Sequence, residues 1–528
     1  MDIFVNRDTE LKLVEETVNA LLAKRNFAPS PIIEFCGVGG IGKTTILKKV
    51  AQWCNDKNLP YILADANQNL PHFSRDILSQ VMKYSSQLMR ESEGRDSLSQ
   101  SIIAAKALLA QGPAAILLDS LDAANDELLK WIEMMLRDLL EENNLFVVLA
   151  SKKAVYFKNT RSISRMLTPF LLKPFDKDSC EMYLNGVGGP LDPETYNLIF
   201  EWTHGYPLAV NVIVQAILQQ RLDPRNEQDK KQLLALLTEQ VINRGVLANV
   251  VQTQGIFDWY RTILSLLSVP RRFNLVLLQN IIEQFAPQYA LASSLGYMGW
   301  PKRINQMTDV LNWDIPKAGF SVDEPIRHIF LTKLKLEQTE VYYALHSFLA
   351  QLNQELAAQV SGSDRVRYLR EYLYHWAHNE NTQTFPNVLA NTLQQIIEGS
   401  AESLLQFYEE YVQDEELKEA LGKNSTTMMS LMHRELARIN REMAVREPMP
   451  DCVYYWREFF YYVIYDPVVN DLLLLLQKHV QQMVKEVSPA VSQELYKELM
   501  RDDTFSKPLG ENFAIFAALI REEFSAEG

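Results

Sequence analysis

A glycine-rich stretch near the N-terminus constrains the fold more than any other part of the chain. It fills the G-x-x-x-x-G-K-[ST] pattern of a phosphate-binding loop with Gly37, Val38, Gly39, Gly40, Ile41, Gly42, Lys43, Thr44 and Thr45. The apolar run 31–36 precedes it, and apolar residues follow at helical spacing, at Ile46, Leu47, Val50 and Ala51. The pattern predicts a loop that joins a buried strand to the N-terminus of a helix.

Such a loop has the chemistry of a nucleotide site. Glycines let the backbone turn with its N–H groups towards phosphate oxygens, and the helix dipole adds partial positive charge at the same point. We predict that Lys43 bridges the β- and γ-phosphates and that the hydroxyl of Thr44 binds Mg²⁺. The alternative is a glycine-rich turn without a ligand. The sequence favours ATP or ADP, with Mg²⁺, as the ligands.

A second stretch ends in carboxylates. Residues 114–118 are apolar, Asp119 follows them directly, and Asp122 comes three residues later. An uninterrupted apolar run predicts an interior strand of a parallel sheet, and an acid at its C-terminal end lies in the crevice where such sheets bind ligands. We predict that Asp119 holds Mg²⁺ through water and that Asp122 orients or deprotonates the attacking water. Lys43, Asp119 and Asp122 are therefore the predicted catalytic residues.

Two further buried strands are predicted, over 145–150 and 167–172. Ser151 and Lys152 follow the first of them, and either could sense the γ-phosphate at the same edge of the sheet. For Lys152, a solvated strand end is an equal alternative. Arg161 and Arg165 lie between the two strands and could act as arginine fingers towards a neighbouring subunit, or be solvated loop charges.

Composition limits the class of protein. The chain has 528 residues and a net charge of −14, which predicts several domains and disfavours a nucleic-acid-binding surface over the whole molecule. No run approaches the roughly 20 apolar residues of a membrane span, and residues 1–4 do not begin a secretory signal. The four cysteines are far apart, which argues against disulfides and zinc. We expect a cytoplasmic protein that does not bind membranes.

Four domains are predicted along the chain: a nucleotide-binding domain over 1–175, a helical lid over 176–250, a winged helix over 251–336 and a helical tail over 337–528. Before the acidic strand, the pattern predicts a strand over 59–64 and helices over 70–90 and 97–111. A possible hairpin over 313–322 supports the winged helix, whose alternative is an ordinary helical subdomain. Breaks between helix pairs in the tail suggest degenerate repeats without a recognisable consensus. Its aromatic segment 454–465 is either core or a partner-binding face.

This combination resembles the signal-transduction ATPases with numerous domains, the STAND group that contains the NACHT and NB-ARC proteins. The similarity covers the loop GVGGIGKTT, the strand ILLDSLDA and the stretch 205–209, Gly-Tyr-Pro-Leu-Ala. It spans roughly residues 1–350. The resemblance implies an α/β P-loop core of AAA+ type, contacts of Val5 and Arg7 with adenine, and packing of Pro207 on bound ADP.

Two departures from the family pattern matter. Ser151-Lys152 replaces the frequent Ser-Arg pair, and Asp323 stands where the winged helix of the family carries a histidine that contacts the β-phosphate of ADP. We therefore expect a closed state that is leakier than is typical of the family. No effector module is recognised before residue 1 or after residue 350.

The resemblance implies an ATP-hydrolysing molecular switch, of the kind used in bacterial or archaeal defence or regulation. Its helical tail would receive a protein partner or signal ligand, and the ATP-bound form would assemble into a homo-oligomer. The alternative is a DNA-binding regulator or initiator that uses the winged helix, with Arg271, Arg272 and Arg303 nearby. A third possibility is a scaffold that binds nucleotide without turnover.

Overall fold

The computed structural model describes residues 5, 7–23, 30–84, 97–157, 161–188, 191–251, 253–314, 319–379, 385–398, 400–469, 471–510 and 512–525. The chain forms two compact units, Met1–Gln338 and Thr339–Gly528. Phe4 and Asn6, residues 85–90 of the helix predicted over 70–90, and the predicted break at Gly399 lie outside the described residues.

The first part of unit one alternates strands and helices. In chain order these are α1 (Asp8–Leu22), β1 (Ile32–Cys36), α2 (Lys43–Asp56), β2 (Tyr61–Asp65), α3 (Leu70–Met82), α4 (Ser97–Gln111), β3 (Ala114–Asp119), α5 (Asp126–Leu140), β4 (Leu145–Ser151), α6 (Arg161–Met166) and β5 (Leu167–Leu171). Several helices begin at an asparagine whose side chain accepts a hydrogen bond from the first turn, as Asn69 does for α3 and Asn125 for α5.

All five strands pair in parallel, in the order β2-β3-β4-β1-β5. Strands β1, β3 and β4 are buried along almost their whole length, which explains why their sequences are apolar except at Glu34 of β1 and at the polar ends of β3 and β4. One face of the sheet packs on α3, α4 and α5 around a cluster that contains Phe73, Trp131 and Leu136. The prediction of an α/β core is confirmed, and the acidic strand β3 is an interior strand as expected.

Helices follow the sheet. They are α7 (Lys177–Gly188), α8 (Pro193–Thr203), α9 (Pro207–Gln220) and α10 (Glu227–Leu237), after which a π-helical segment covers Thr238–Val246. The next elements are α11 (Gln254–Leu267), α12 (Leu275–Phe285), α13 (Trp300–Thr308), β6 (Leu311–Asp314), β7 (Gly319–Val322) and α14 (Glu324–Glu337).

The elements α11 to β7 form a winged helix. Strands β6 and β7 pair as an antiparallel hairpin, and Phe273 between α11 and α12 adds a bridge to Phe320. Their backbone groups exchange two hydrogen bonds, of 2.8 and 2.7 Å. The hairpin predicted over 313–322 is thereby confirmed.

The second unit is helical throughout its described part. Its helices are α15 (Thr339–Gln359), α16 (Gly362–Ala377), α17 (Phe385–Ile397), α18 (Ala401–Val412), α19 (Glu415–Leu421), α20 (Asn424–Arg446), α21 (Asp451–Ile464), α22 (Leu472–Glu486), α23 (Pro489–Arg501), α24 (Asp503–Leu509) and α25 (Asn512–Ser525). Trp456, Phe459 and Phe460 of the aromatic segment are buried in the core of this unit. Tyr454 is more than half exposed, so the segment is mainly core with one exposed ring.

No described helix has the length and apolar character needed to cross a bilayer. Among the described residues, no group of three or more histidine, cysteine, aspartate or glutamate side chains could hold a metal ion. The four cysteines are free and buried.

Gly205 fixes the turn between α8 and α9. Its φ is +69°, and a Cβ there would lie 1.9 Å from the carbonyl oxygen of Phe175. The N–H of Phe175 donates to the carbonyl of Gly205 at 2.9 Å, so the two chain segments cannot separate without losing this bond.

We therefore expect Gly205→Ala to destabilise unit one by about 2–5 kcal/mol, from strain at positive φ plus overpacking. The measurement is thermal unfolding combined with limited proteolysis. Gly112→Ala is the matched control, because a Cβ there meets nothing within 4 Å. Equal melting of both variants would contradict the assigned role of Gly205.

Candidate nucleotide-binding site

The glycine-rich loop connects β1 to α2 at the C-terminal edge of the sheet. The N–H of Gly37 donates to the carbonyls of Ser151 and Lys152 at 3.2 and 3.1 Å, which fixes the start of the loop to the end of β4. At the other end of the loop, Gly42 has φ of +107° and precedes the first turn of α2. The loop thus presents the N-terminus of α2, with its unpaired N–H groups, at the edge where parallel sheets bind ligands.

Lys43 is half-buried at the start of α2. Its Nζ donates to the carbonyls of Gly37 and Val38 at 2.5 and 2.8 Å. Burial lowers the pKa of Lys43, while Asp122 and Asp119 oppose that shift. The ammonium group does not extend into solvent, because the loop curls around it and supplies carbonyl acceptors.

Thr44 meets the acidic strand. Its hydroxyl donates to Oδ2 of Asp119 at 2.7 Å, and the N–H of Ser120 donates to Oδ1 of the same carboxylate at 2.8 Å. Ser120 has φ of +56°, so the chain turns sharply directly after the strand. The hydroxyl and carboxylate predicted to bind Mg²⁺ are therefore adjacent.

Asp122 lies one turn further on and contacts β4. Its Oδ1 accepts a hydrogen bond from the N–H of Lys152 at 2.9 Å, and its Oδ2 lies 4.0 Å from Nζ of Lys152. The structure thus brings together Lys43, Thr44, Asp119, Asp122 and Lys152. Of the predicted residues, these form one polar group around the loop.

Strand β4 lies between the loop strand β1 and the acidic strand β3, an arrangement of the AAA+ class of P-loop NTPases. Unit one has a P-loop NTPase fold. No model of a known protein family matches the chain, and no curated protein matches it.

Solved structures similar to this chain have low identity. A signal transduction ATPase with numerous domains and a tetratricopeptide repeat sensor, from Pyrococcus horikoshii, is 13% identical, with 99% of this chain and 78% of that chain covered and a TM-score of 0.32. Cdc6p from Pyrobaculum aerophilum is 14% identical over 65% of this chain and 97% of its own, with a TM-score of 0.35. The Aeropyrum pernix Orc1 protein in complex with DNA is 15% identical, with 64% of this chain and 94% of that chain covered and a TM-score of 0.34. The fold assignment depends on the strand order and loop geometry of this chain.

A buried carboxylate in β1 holds the end of β4 in the P-loop NTPase core. Oε1 of Glu34 accepts hydrogen bonds from the hydroxyl of Ser151 at 2.7 Å and from the N–H of Val155 at 2.8 Å. Burial raises the pKa of Glu34. Sequence reasoning missed Glu34, although a charged residue within the apolar run 31–36 was a visible signal.

Ser151 does not occupy the predicted sensor position. Its side chain is fully buried, and its hydroxyl is bonded to Glu34 inside the sheet. A strand alternates its side chains between two faces, so the residue that follows a buried one is turned the other way. Lys152 is the member of the pair that the structure places beside Asp122.

The stretch 205–209 lies directly on the phosphate loop. The hydroxyl of Tyr206 donates to the carbonyl of Gly39, and Tyr206 is 2% exposed. Gly40 has φ of +79°, and a Cβ there would lie 2.7 Å from Cβ of Leu208. Pro207 begins α9 between these two contacts and is half-buried. The sequence predicted a nucleotide contact only for Pro207, because the tertiary packing of Tyr206 and Leu208 leaves no signal in a single sequence.

The winged helix contacts the same strand end. Nζ of Lys153 donates to Oδ1 of Asp309 at 2.8 Å and to the carbonyl of Leu311 at 3.2 Å. Sequence reasoning missed Lys153, which differs from its neighbour Lys152 only in the direction of its side chain.

Asp323 lies at the N-terminus of α14, where its carboxylate accepts a hydrogen bond from the side chain of Asn312. Burial raises its pKa to about 6, although Asn312, Lys153 and Lys152 favour the ionised form. Burial also raises the pKa of Tyr206, and Asp323 adds to that shift. Asp323 is thus within electrostatic reach of residues that contact the loop.

Arg7 connects the N-terminal segment to the loop. The guanidinium group donates to the carbonyls of Ile41 and Lys173 at 3.3 and 2.8 Å, and burial lowers its pKa. Val5 is half-buried nearby in the chain. Among the predicted arginine fingers, Arg165 is exposed, and the side chain of Arg161 lies outside the described residues.

The residues present fit a nucleotide with Mg²⁺. Mg²⁺ takes oxygen ligands, usually one or two from the protein together with water and phosphate oxygens. The adjacent Thr44 hydroxyl and Asp119 carboxylate supply such a pair, and Lys43 supplies a cation at the loop.

Lys43→Ala tests the loop. We expect ATP affinity to fall by about a hundredfold or more, because the β- and γ-phosphates lose a charge-assisted donor. The fold should survive, since only a half-buried side chain is removed. Calorimetry measures the affinity, and Lys48→Ala, an exposed lysine on the same helix, is the control. Unchanged affinity in the Lys43 variant would refute the site.

Asp119→Asn and Asp122→Asn should separate metal binding from hydrolysis. Losing the Asp119 carboxylate should weaken Mg²⁺ dependence and turnover together. The asparagine that replaces Asp122 retains an oxygen that accepts from the N–H of Lys152, so nucleotide affinity should persist while turnover falls about a hundredfold. Turnover and Mg²⁺ titrations measure both effects, with the exposed Asp126→Asn as control. Equal loss of nucleotide binding in both variants would contradict these roles.

Proposed function

We propose that the protein is an ATP-hydrolysing switch in which the nucleotide state of the loop controls the packing of the lid and winged helix. The observation that carries this proposal is the direct contact of Tyr206 and Leu208 with Gly39 and Gly40. A change in loop conformation cannot leave this contact unaffected, because the packing at Gly40 leaves no room for even one added carbon atom.

The contacts around the loop support a chemical role for each predicted residue. Lys43 would bind the β- and γ-phosphates, and Asp122 would orient or deprotonate the attacking water. Mg²⁺, held by Thr44 and Asp119, would neutralise charge on the phosphate oxygens. Val5 and Arg7 would contact the base, and the N-terminus of α9 at Pro207 would lie against bound ADP.

Lys152 and Lys153 support coupling to the winged helix. Asp122 accepts a hydrogen bond from the backbone N–H of Lys152. The side chain of Lys153 donates hydrogen bonds to the carboxylate of Asp309 and the carbonyl of Leu311. We infer that displacement of Lys152 by the γ-phosphate would move Lys153 as well. The winged helix would then lose a contact with the core.

Asp323 supports a weakly closed state. A carboxylate repels a nearby phosphate, whereas a histidine can donate a hydrogen bond to it. Burial of Asp323 disfavours its charged form, which reduces this repulsion without supplying the histidine contact. Closure would therefore depend more on Tyr206 and Lys153 than on a phosphate contact from the winged helix.

In this proposal, the protein purifies with ADP as a closed monomer. It forms homo-oligomers when ATP is bound and a protein partner or signal ligand acts on the helical unit. Moving such a switch from about one part in a hundred active to ninety-nine requires about 5.5 kcal/mol of differential binding, which nucleotide exchange and a partner could share.

The competing proposal is a DNA-binding regulator. Lys302 and Arg303 are exposed on α13 of the winged helix, as a DNA-contacting helix requires. However, the guanidinium group of Arg303 lies 4.4 Å from the ring centroid of Trp259, so packing accounts for its position. Duplex binding that weakens steeply with added salt would favour the DNA-binding proposal.

The test of the switch is to extract nucleotide from the purified protein and to measure mass by light scattering. We expect ADP and a monomer as purified, a larger species with ATP, and a persistent larger species for Asp122→Asn with ATP. Lys153→Gln should shift the population towards assembly and weaken ADP relative to ATP, because it removes a winged-helix contact of the closed state. A nucleotide-free preparation, or a stable oligomer with ADP, would contradict the switch and favour the scaffold.

A further inference from the structure

The helical unit contains a cavity of about 890 Å³ between α20, α21 and α22. Its volume lies within the range of about 300–1,000 Å³ that is usual for small-molecule sites. The cavity belongs entirely to unit two. Binding there can therefore be measured whether or not unit one hydrolyses ATP.

Aromatic and aliphatic side chains form the apolar part of the cavity. They include Phe459, Tyr462 and Val463 of α21, Leu475 of α22 and Ala437 of α20. Phe459 is 3% exposed and Tyr462 4% exposed, so packing fixes these rings. This surface favours an apolar ligand body.

Arginines on α20 form the charged part of the cavity. Arg434 donates to Asp466 at 3.0 Å, and Arg441 donates to Glu486 at 2.6 Å. These two pairs connect α20 to the segment after α21 and to α22. They lie seven residues apart, which is about 10 Å along a helix.

Arg438 lies between these two arginines and differs from them. Its partners, Glu435 and Glu442, belong to the same helix, and its side chain is 50% exposed. Exposed pairs of this kind contribute only a few tenths of a kcal/mol. Arg438 can therefore turn to another carboxylate without separating two helices.

Charged side chains of both signs line the cavity. Four arginines, Arg434, Arg438, Arg441 and Arg446, face three acids, Glu442, Asp466 and Glu486. His433 and His479 also line the cavity, and burial lowers the pKa of both, which favours their neutral form. Glu435, the other partner of Arg438, adds a fourth carboxylate beside these arginines.

We propose that this cavity binds a small amphipathic carboxylic acid, with its apolar body on Phe459, Tyr462 and Val463 and its carboxylate on Arg438. The planar guanidinium fork matches a carboxylate in a bidentate geometry.

Calorimetry on the full chain tests this site with octanoate, hexanoate and 1-octanol as probes. We expect octanoate to bind, hexanoate to bind more weakly by about fourfold for each CH₂ removed, and 1-octanol to bind at least tenfold more weakly than octanoate. Equal affinity for octanoate and 1-octanol would overturn the assignment of a carboxylate. Absence of octanoate binding at millimolar concentration would overturn the proposed ligand site and favour a peptide in the cavity.

Variants locate the binding. Arg438→Gln should weaken octanoate at least tenfold, and Ala437→Trp should abolish binding by filling the cavity. The control is Arg367→Gln, because Arg367 pairs within its own helix with Asp364 at 3.0 Å and does not line the cavity. Circular dichroism checks that each variant folds. If Ala437→Trp does not fold, the variant of the exposed Arg438 still tests the site. Octanoate binding that Arg438→Gln leaves unchanged would overturn the proposal.

Discussion

The short segment 151–155 at the end of β4 connects the parts of the candidate site. Its backbone carbonyls accept from Gly37 of the phosphate loop, and its N–H at Lys152 donates to Asp122. Glu34 holds the same segment from inside the sheet, at Ser151 and Val155. Because one carboxylate binds both ends of the segment, the buried Glu34 fixes where Lys152 and Lys153 emerge. Segment 151–155 therefore contacts the phosphate loop, Asp122 and the winged helix, and Glu34 holds it in place.

The position of this segment explains why the adjacent residues Ser151, Lys152 and Lys153 have different contacts. Ser151 points into the sheet and is structural, Lys152 lies at the acid, and Lys153 reaches the winged helix. Alternation along a strand end, together with the turn that follows it, separates three neighbours into three environments. A sequence pattern that assigns one function to a Ser-Lys pair cannot make that distinction.

Prediction from the sequence succeeded where local chemistry decides the structure. The loop, the apolar strand that ends at Asp119, and the hairpin before Asp323 each carry their own signal in a few consecutive residues. Prediction failed where a contact joins distant segments. Ser151 turns to Glu34 and Tyr206 to Gly39, and neither partner can be deduced from spacing alone. The helical unit shows the same limit for a surface, because the helical spacing of Arg434, Arg438 and Arg441 predicts one face of α20 but not whether water, a ligand or another helix covers it.

The contacts that hold the proposed closed state are individually weak, which is consistent with a switch. An exposed pair such as Lys153–Asp309 contributes at most about 1 kcal/mol, and a neutral hydrogen bond such as Tyr206–Gly39 about 0.5–1.5 kcal/mol. The rings of His204 and His328 stack at 3.8 Å between α8 and α14, and an aromatic pair adds about 0.5–1.5 kcal/mol. Together these contacts are of the same order as the free energy that differential nucleotide binding can supply. Stronger contacts at these positions would keep unit one closed whichever nucleotide the loop held.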